Sequence, residues 1–360
     1  MRQILCLSDR PWSSVPGRTQ QLMTRLKDAE ILFCSPAASR RDKSWKEPSR
    51  KRRPGLTTCT LPPAPSDEMG RGFFFRRERD RTLRFLQARL ERHRFREPLL
   101  WCAAPFAAEF LDGLDYRGLV YDCFQDWRDC PDPWERELTE AADVVFAASP
   151  ALARQRAACN PNVALLPYGC NYPMFSKDGL PRPAGLQNVR PVLGFAGTIW
   201  SDLDLTPLFH AARGCPGACL VLVGRAEDNP MLPALLEEPN VRWFHFIPPV
   251  DLPDWICSFD VCLYLQRRGH SGDDVLSPRI FEYLSAGRPI VAMLRPGAVE
   301  LFPDVVYGAH SPAEFSLLCA HALEETGTWA RDRRRRYGQA AAWSSRAAEV
   351  SRILESTGLL

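Results

Sequence analysis

Short apolar runs recur along the chain at intervals that leave room for one helix between neighbours. In the first half they fall at 3–8, 30–35, 99–105, 118–123, 143–148 and 163–167. Most are continuous, without polar residues at alternate positions. Strands covered by helices on both faces read this way, whereas half-exposed strands alternate. Helical segments such as 19–27 and 133–142 lie between them. Repeated strand–helix units predict a parallel, doubly wound sheet.

The pattern restarts after a Pro- and Gly-rich loop at 176–190. Apolar runs follow at 191–197, 218–224, 241–246, 261–265, 289–293 and 305–307, separated by helical stretches at 251–258, 278–286 and 312–325. The expected fold class is therefore α/β, with two Rossmann-like doubly wound domains facing each other across a cleft. The loop is the expected linker, which gives domains at 1–175 and 190–328 followed by a C-terminal segment at 329–360. Ligands in such sheets bind beyond the carboxyl ends of the strands.

Composition narrows the function classes. The 360 residues are 45% hydrophobic and 25% charged, as in ordinary globular proteins. A net charge of +3, from 46 Lys and Arg against 43 Asp and Glu, is too small to imply a nucleic-acid binder. The apolar stretch near the N-terminus, Ile4 to Leu7, is short and ends in a charge, so it reads as a strand and not a signal peptide. With no apolar run near 18 residues or more, no transmembrane helix is expected, and the chain reads as cytoplasmic. The 13 cysteines are scattered. Cys215 and Cys219 form a close pair with no second pair to complete a zinc site, so reduced buried thiols are expected.

Charge is concentrated in one region. Residues 40–53 hold eight Lys and Arg against two acids, and residues 71–96 hold ten Arg against three acids. The second stretch contains Phe73, Phe74 and Phe75, then Leu83, Phe85, Leu86 and Leu90 at helical spacing. One reading is a basic amphipathic helix on an anionic membrane surface, which would place the protein at the inner face of the plasma membrane. The other is a solvated basic face on a helix that packs on the sheet. No recognition fold or zinc signature accompanies the charge, so nucleic acid is not expected as a partner.

The densest chemistry lies in Gly272-Asp273-Asp274-Val275-Leu276-Ser277-Pro278-Arg279-Ile280-Phe281-Glu282-Tyr283-Leu284-Ser285-Ala286-Gly287. Ser277 is a good N-cap, Pro278 suits the first helical position, and Gly287 is a natural stop. Free N–H groups at the helix start, with the positive end of the helix dipole, make an anion site that a diphosphate fits. Arg279 adds a charge-assisted contact. Glu282, one turn in, suits a ribose diol, while Asp274 precedes the helix by a few residues and suits hydroxyls of a transferred sugar.

This segment resembles the E-x7-E region of the retaining GT-B glycosyltransferases of the large family-4, or group 1, type. Asp274-x7-Glu282 stands for the two acids, with Asp in the first place, and Ser277 to Val291 resembles the family's S-P-[KR]-[LI]-F-E-Y-L run. The resemblance extends over nearly the whole chain. Gly194 to Leu205, Tyr121 to Trp127, Leu166 to Asn171, Trp12 with Pro16 to Gln21, and Trp343 to Arg346 each resemble a family motif. It implies a GT-B fold whose last helix crosses back to the first domain. It also implies transfer from a nucleoside-diphosphate sugar to an acceptor hydroxyl, with retention and without metal or other cofactor. A glycan or lipid-linked acceptor in surface or cell-wall glycan synthesis is the expected context.

On that resemblance the donor-binding set is Gly197, Thr198, Arg225, Leu276, Ser277, Arg279 and Glu282. The catalytic candidates are Asp122, Asp126, Arg225 and Asp274. Gly17 and His270 belong to loops expected at the cleft, and Trp12 either stacks on a ligand or packs. His245 reads as a packed strand residue. The sequence departs from the family after Gly197: Thr198 to Asp204 contains no Arg or Lys to meet a leaving diphosphate. Arg225 and Arg279 are the expected replacements. Two other readings fit the same scaffold: a nucleotide-sugar epimerase or hydrolase, and a non-catalytic nucleotide-sugar binder.

Overall fold

The structure is a computed structural model that describes residues 2–13, 15–63, 73–127, 133–267, 275–295, 298 and 301–359. Asp274 and His270 lie outside the described residues. The chain forms two compact units, residues 1–167 with 346–360, and residues 168–345.

In the first unit the elements run β1 (Arg2–Leu7), α1 (Arg18–Met23), β2 (Ala29–Ser35), β3 (Arg50–Arg53), β4 (Leu56–Thr60), α2 (Phe73–Arg92), β5 (Leu99–Cys102), β6 (Gly118–Cys123), α3 (Trp134–Ala141), β7 (Val144–Ala147), α4 (Pro150–Ala157) and β8 (Val163–Leu165). The sheet order is β3-β4-β2-β1-β5-β6-β7-β8. Every neighbouring pair is parallel except β3 with β4. The β3–β4 hairpin was not expected from the sequence. All four β3 residues are charged and exposed, which suits only a sheet edge.

Helix α2 occupies most of the second basic stretch, and its apolar stripe turns inward. Phe75, Leu83, Leu86 and Leu90 are buried in the first unit, with Phe75 stacked on Trp134. The side chains of Phe73 and Phe74 lie outside the description. Among the described residues most of the stripe proposed for lipid is thus taken up by protein packing, and the basic side stays outward.

The second unit contains α5 (Tyr172–Phe175), β9 (Val192–Ala196), α6 (Thr206–Gly214), β10 (Cys219–Val223), α7 (Leu232–Leu236), β11 (Val241–Phe244), α8 (Leu252–Ile256), β12 (Val261–Leu265), α9 (Pro278–Ala286), β13 (Ile290–Met293), β14 (Tyr307–Ala309), α10 (Pro312–Leu323) and α11 (Thr328–Ala340). A last helix, α12 (Trp343–Ser356), starts in this unit and ends in the first. The six strands are all parallel, in the order β11-β10-β9-β12-β13-β14. That is the Rossmann order, and it reverses between β9 and β12.

Why these strands read as unbroken apolar runs is plain in the packing. Val192 and Ala196 of β9, Val221 and Val223 of β10, and Cys262 and Tyr264 of β12 enter one core with α8 and α9. Their neighbours Leu193, Phe195, Leu220, Leu222, Val261 and Leu263 enter a second core with α6 and α10. Successive side chains point to opposite faces, and both faces are covered.

Candidate active site

Helix α9 starts where the sequence expects it. Ser277 has extended backbone at the N-cap, Pro278 opens the helix, and Gly287 closes it in the left-handed region at φ 73°. The Ser277 side chain makes no capping bond. It is exposed, and among the described residues no side chain caps the first N–H groups of the helix. An anion can take the cap's place there.

Two tyrosines fix this helix start against the strand reversal. The Ser277 N–H donates to the Tyr264 hydroxyl at 3.0 Å, and Tyr264 belongs to β12. The Ala196 N–H, at the end of β9, donates to the Tyr283 hydroxyl at 2.8 Å, and that hydroxyl donates to the Ala196 carbonyl at 3.3 Å. Both tyrosine hydroxyls are buried and held un-ionised, chiefly by desolvation. The sequence reading passed over both, although Tyr283 directly follows the key acid.

Glu282 and Arg279 form an ion pair one turn apart on α9, with side chains 16% and 24% exposed. Burial raises the Glu282 pKa above the ordinary glutamate value of 4.5, and the Arg279 guanidinium opposes that rise. The Arg279 Nε is buried and has no partner among the described residues. One donor of the guanidinium is therefore committed to the acid while another is desolvated and unused. Such a donor is costly unless something else satisfies it. Leu276 is different, because its side chain is 3% exposed and sits in the core. Only its backbone is left for a ligand.

Gly197 follows β9. A Cβ built there meets only the Phe195 ring, at 3.5 Å, an ordinary contact. Packing inside the unit therefore does not demand glycine at 197. Gly224 at the end of β10 contrasts with it: φ is 139°, and a Cβ would lie 1.9 Å from the Gly197 carbonyl oxygen. Thr198 is half-buried beside Gly197.

A basic side chain reaches the loop after Gly197 from another strand. Arg267, just past β12, pairs with Asp202 at 2.8 Å and lies over the Trp200 ring at 4.6 Å. Both partners belong to the loop after Gly197. This link joins the segments that leave β9 and β12, the two strands at the reversal. Nothing in the linear sequence signals it, because 65 residues separate the pair.

Arg225 is exposed and stacks 4.5 Å over the Phe246 ring. Its carbonyl accepts from the Ile199 N–H at 2.8 Å, so its backbone flanks the same loop. The strand expected over 241–246 stops at Phe244, which leaves His245 exposed beyond it, 4.0 Å from the Trp243 ring.

In the first unit Asp122 is fully buried. Arg18 grips it through Nε at 2.9 and 3.2 Å and through a terminal nitrogen at 2.8 Å. Arg18 also donates to the Pro167 carbonyl at 3.1 Å. Burial pushes the Asp122 carboxyl up, and Arg18 pulls it down. Asp126 is 7% exposed in the loop after β6. Gly17 is the N-cap of α1, with its carbonyl accepting from the Gln21 N–H, and the Arg10 side chain lies against it. Trp12 packs edge-on against Phe33 at 5.1 Å.

Comparison with known proteins follows this geometry. Residues 206–352 match the family described as Glycosyl transferase-like. A Bacillus subtilis (strain 168) protein named as a teichuronic acid biosynthesis glycosyltransferase, TuaH, is 29% identical over 142 residues. That match takes in 38% of this chain and 36% of the relative. Sucrose-phosphate synthase from Thermosynechococcus elongatus aligns over 99% of both chains with a TM-score of 0.71 at 15% identity. Trehalose 6-phosphate synthase from Burkholderia multivorans aligns over 99% and 98% with a TM-score of 0.72 at 14% identity. Anabaena HepE, solved with UDP and glucose, aligns over 99% and 100% with a TM-score of 0.68 at 16% identity. Over residues 206–352 the chain carries the glycosyl transferase-like pattern, and over 99% of its length it has the GT-B fold.

Proposed function

We propose that this protein transfers a sugar from a nucleoside-diphosphate sugar to an acceptor hydroxyl, with retention, in the synthesis of a glycan. One observation carries the reading: a helix start that no described side chain caps, pinned at a strand reversal, with a half-buried acid and a desolvated arginine donor one turn inside it. The diphosphate sits at the start of α9, where the N–H groups and Arg279 meet its charge. Glu282 accepts hydrogen bonds from the ribose diol. Gly197 lets the backbone come close to the phosphates, and Thr198 lines the same approach.

As the bond from the anomeric carbon to the diphosphate oxygen breaks, negative charge grows on the leaving group. Fixed N–H donors and cations stabilise it best when they are already in place. Arg267, held over Trp200 by Asp202, joins Arg279 and Arg225 in that role. Asp126 is the candidate for orienting the acceptor hydroxyl, and Asp122 holds Arg18 in position. Asp274 and His270, outside the described residues, are the remaining candidates for contact with the transferred sugar. The structure with UDP and glucose supports a nucleotide-sugar donor, and the relative named for teichuronic acid synthesis supports a glycan or lipid-linked acceptor.

The test is calorimetry with UDP and GDP on wild type and Glu282→Ala, followed by diphosphate release from a panel of nucleotide sugars. Strong loss of nucleotide affinity in a folded variant is expected. Unchanged affinity would remove Glu282 from the site. Diphosphate release that does not depend on an acceptor would turn the reading to a hydrolase.

A further inference from the structure

The two basic runs of the sequence are brought together in space. Trp45 packs edge-on against Phe85 of α2, with ring centroids 6.3 Å apart. Arg81 lies over Trp45 at 5.6 Å, and Arg89 lies over Phe85 at 4.7 Å. Arg89 also donates to the Glu47 carbonyl at 2.8 Å and to the Ser49 hydroxyl at 3.3 Å. The His93 ring meets the same hydroxyl at 3.1 Å. Segment 44–50 is thereby clamped along α2, and it leads directly into the cationic edge strand β3.

The charge this creates is large. Residues 40–53 and 73–96 together carry a net +12, while the whole chain carries +3, so the remainder is net negative by nine. Arg40, Arg41, Lys43, Lys46, Arg50 to Arg53, Arg76, Arg77, Arg84, Arg92, Arg94 and Arg96 are all exposed. Self-repulsion on that scale costs stability, and an anionic partner offsets it.

We propose that this strand-and-helix face docks on an anionic lipid bilayer through its charge. Two observations favour a bilayer over other polyanions. The cations spread over a sheet edge and a helix, and each Lys or Arg near an anionic leaflet adds about 1 kcal/mol, close to a fivefold gain in affinity. Among the described residues, the Trp45 and Phe85 rings lie against each other and under Arg81 and Arg89, which disfavours stacking of bases on them. The contact is electrostatic because Phe75, Leu83, Leu86 and Leu90 of α2 are buried in the protein, and among the described residues no helix is long and apolar enough to cross a membrane. The inference does not depend on the donor site.

Sedimentation with vesicles tests it. Wild type is mixed with phosphatidylcholine vesicles, and with vesicles containing phosphatidylglycerol at about a third of the lipid. Binding is expected only to the second, and is lost near 1 M salt, where the Debye length falls to about 3 Å. The variant Arg40→Gln, Arg41→Gln, Lys51→Gln, Arg92→Gln should bind at least 100-fold more weakly, as four lost contacts of roughly fivefold each predict. A control with the same charge loss elsewhere, Arg154→Gln, Arg242→Gln, Arg336→Gln, Arg352→Gln, should bind nearly as wild type. UDP affinity should be the same in all three proteins. Equal loss in the control, binding to neutral vesicles, or no binding at all overturns the proposal. Tighter capture of a duplex oligonucleotide than of the anionic vesicles assigns the face to nucleic acid instead, and also overturns it.

Discussion

The Tyr283 hydroxyl and the Ala196 backbone are joined by a buried hydrogen bond of 2.8 Å, which ties helix α9 to the end of β9, the first strand of its sheet. Tyr283→Phe keeps the ring and removes the bond, leaving the Ala196 N–H without its side-chain acceptor. The expected cost is about 1–3 kcal/mol of stability. Denaturant unfolding measures it. If α9 is positioned by this bond, nucleotide affinity falls as well. A loss of stability with unchanged affinity would mean that the bond is structural only.

Gly197→Ala separates folding from ligand approach. Since a methyl group meets only an ordinary contact with Phe195, melting temperature should shift little. Nucleotide affinity should drop at least tenfold, about 1.4 kcal/mol, if the phosphates pass close to this backbone. Gly224→Ala is the contrast, because its built Cβ collides with the Gly197 carbonyl. That variant should be strongly destabilised.

The raised pKa of Glu282 gives a pH signature. In the free protein the folded state holds the Glu282 proton more tightly than the unfolded chain does. This contribution to stability is complete below the ordinary value of 4.5 and is lost as pH rises through the higher folded value. Donor binding follows the opposite course, because the ionised carboxylate is the better acceptor for ribose. Affinity for an intact nucleotide sugar, whose diphosphate does not titrate here, should fall on acidification with a midpoint above 4.5. Glu282→Gln should abolish that step in a calorimetric pH series.

Arg18 and Asp122 are 2% and 0% exposed, so neither tolerates loss of its partner. Arg18→Met alone should cost about 3–5 kcal/mol, because it strands a buried carboxylate. The double variant Arg18→Met, Asp122→Leu should recover much of that. A single variant as stable as wild type would show that the pair is unimportant to the fold.

Arg267→Gln probes the cation that arrives from β12. If it stabilises the leaving diphosphate, kcat should fall about tenfold or more while substrate affinity changes less. An unchanged kcat would return Arg267 to a purely structural role beside Trp200 and Asp202.

Much of this architecture can be read from the chain because its strands are covered twice. Val192 to Ala196 is apolar throughout since alternate residues serve different cores. The helix from Pro278 to Gly287 is legible because its start, acid and stop are all local. What the sequence hides is set by partners far along the chain. Asp122 reads as a free loop-end acid until Arg18, 104 residues earlier, is seen on it. Arg267 and Asp202 meet only in three dimensions. The four cations of β3 argue against a strand in sequence terms, yet a sheet edge accepts them. The stripe of Leu83, Leu86 and Leu90 has one periodicity whether its cover is lipid or protein, and burial alone decides for protein.

The first unit is closed by residues 346–360, with Arg2 paired to Glu355 at 3.1 Å. Those last residues are translated after the whole of the second unit. At about 5–20 residues per second the ribosome needs roughly 10–40 s to make the intervening stretch. For that interval the first sheet stands complete in strands but lacks its final helix. The nascent chain must therefore keep one half-finished body in solution while it builds another.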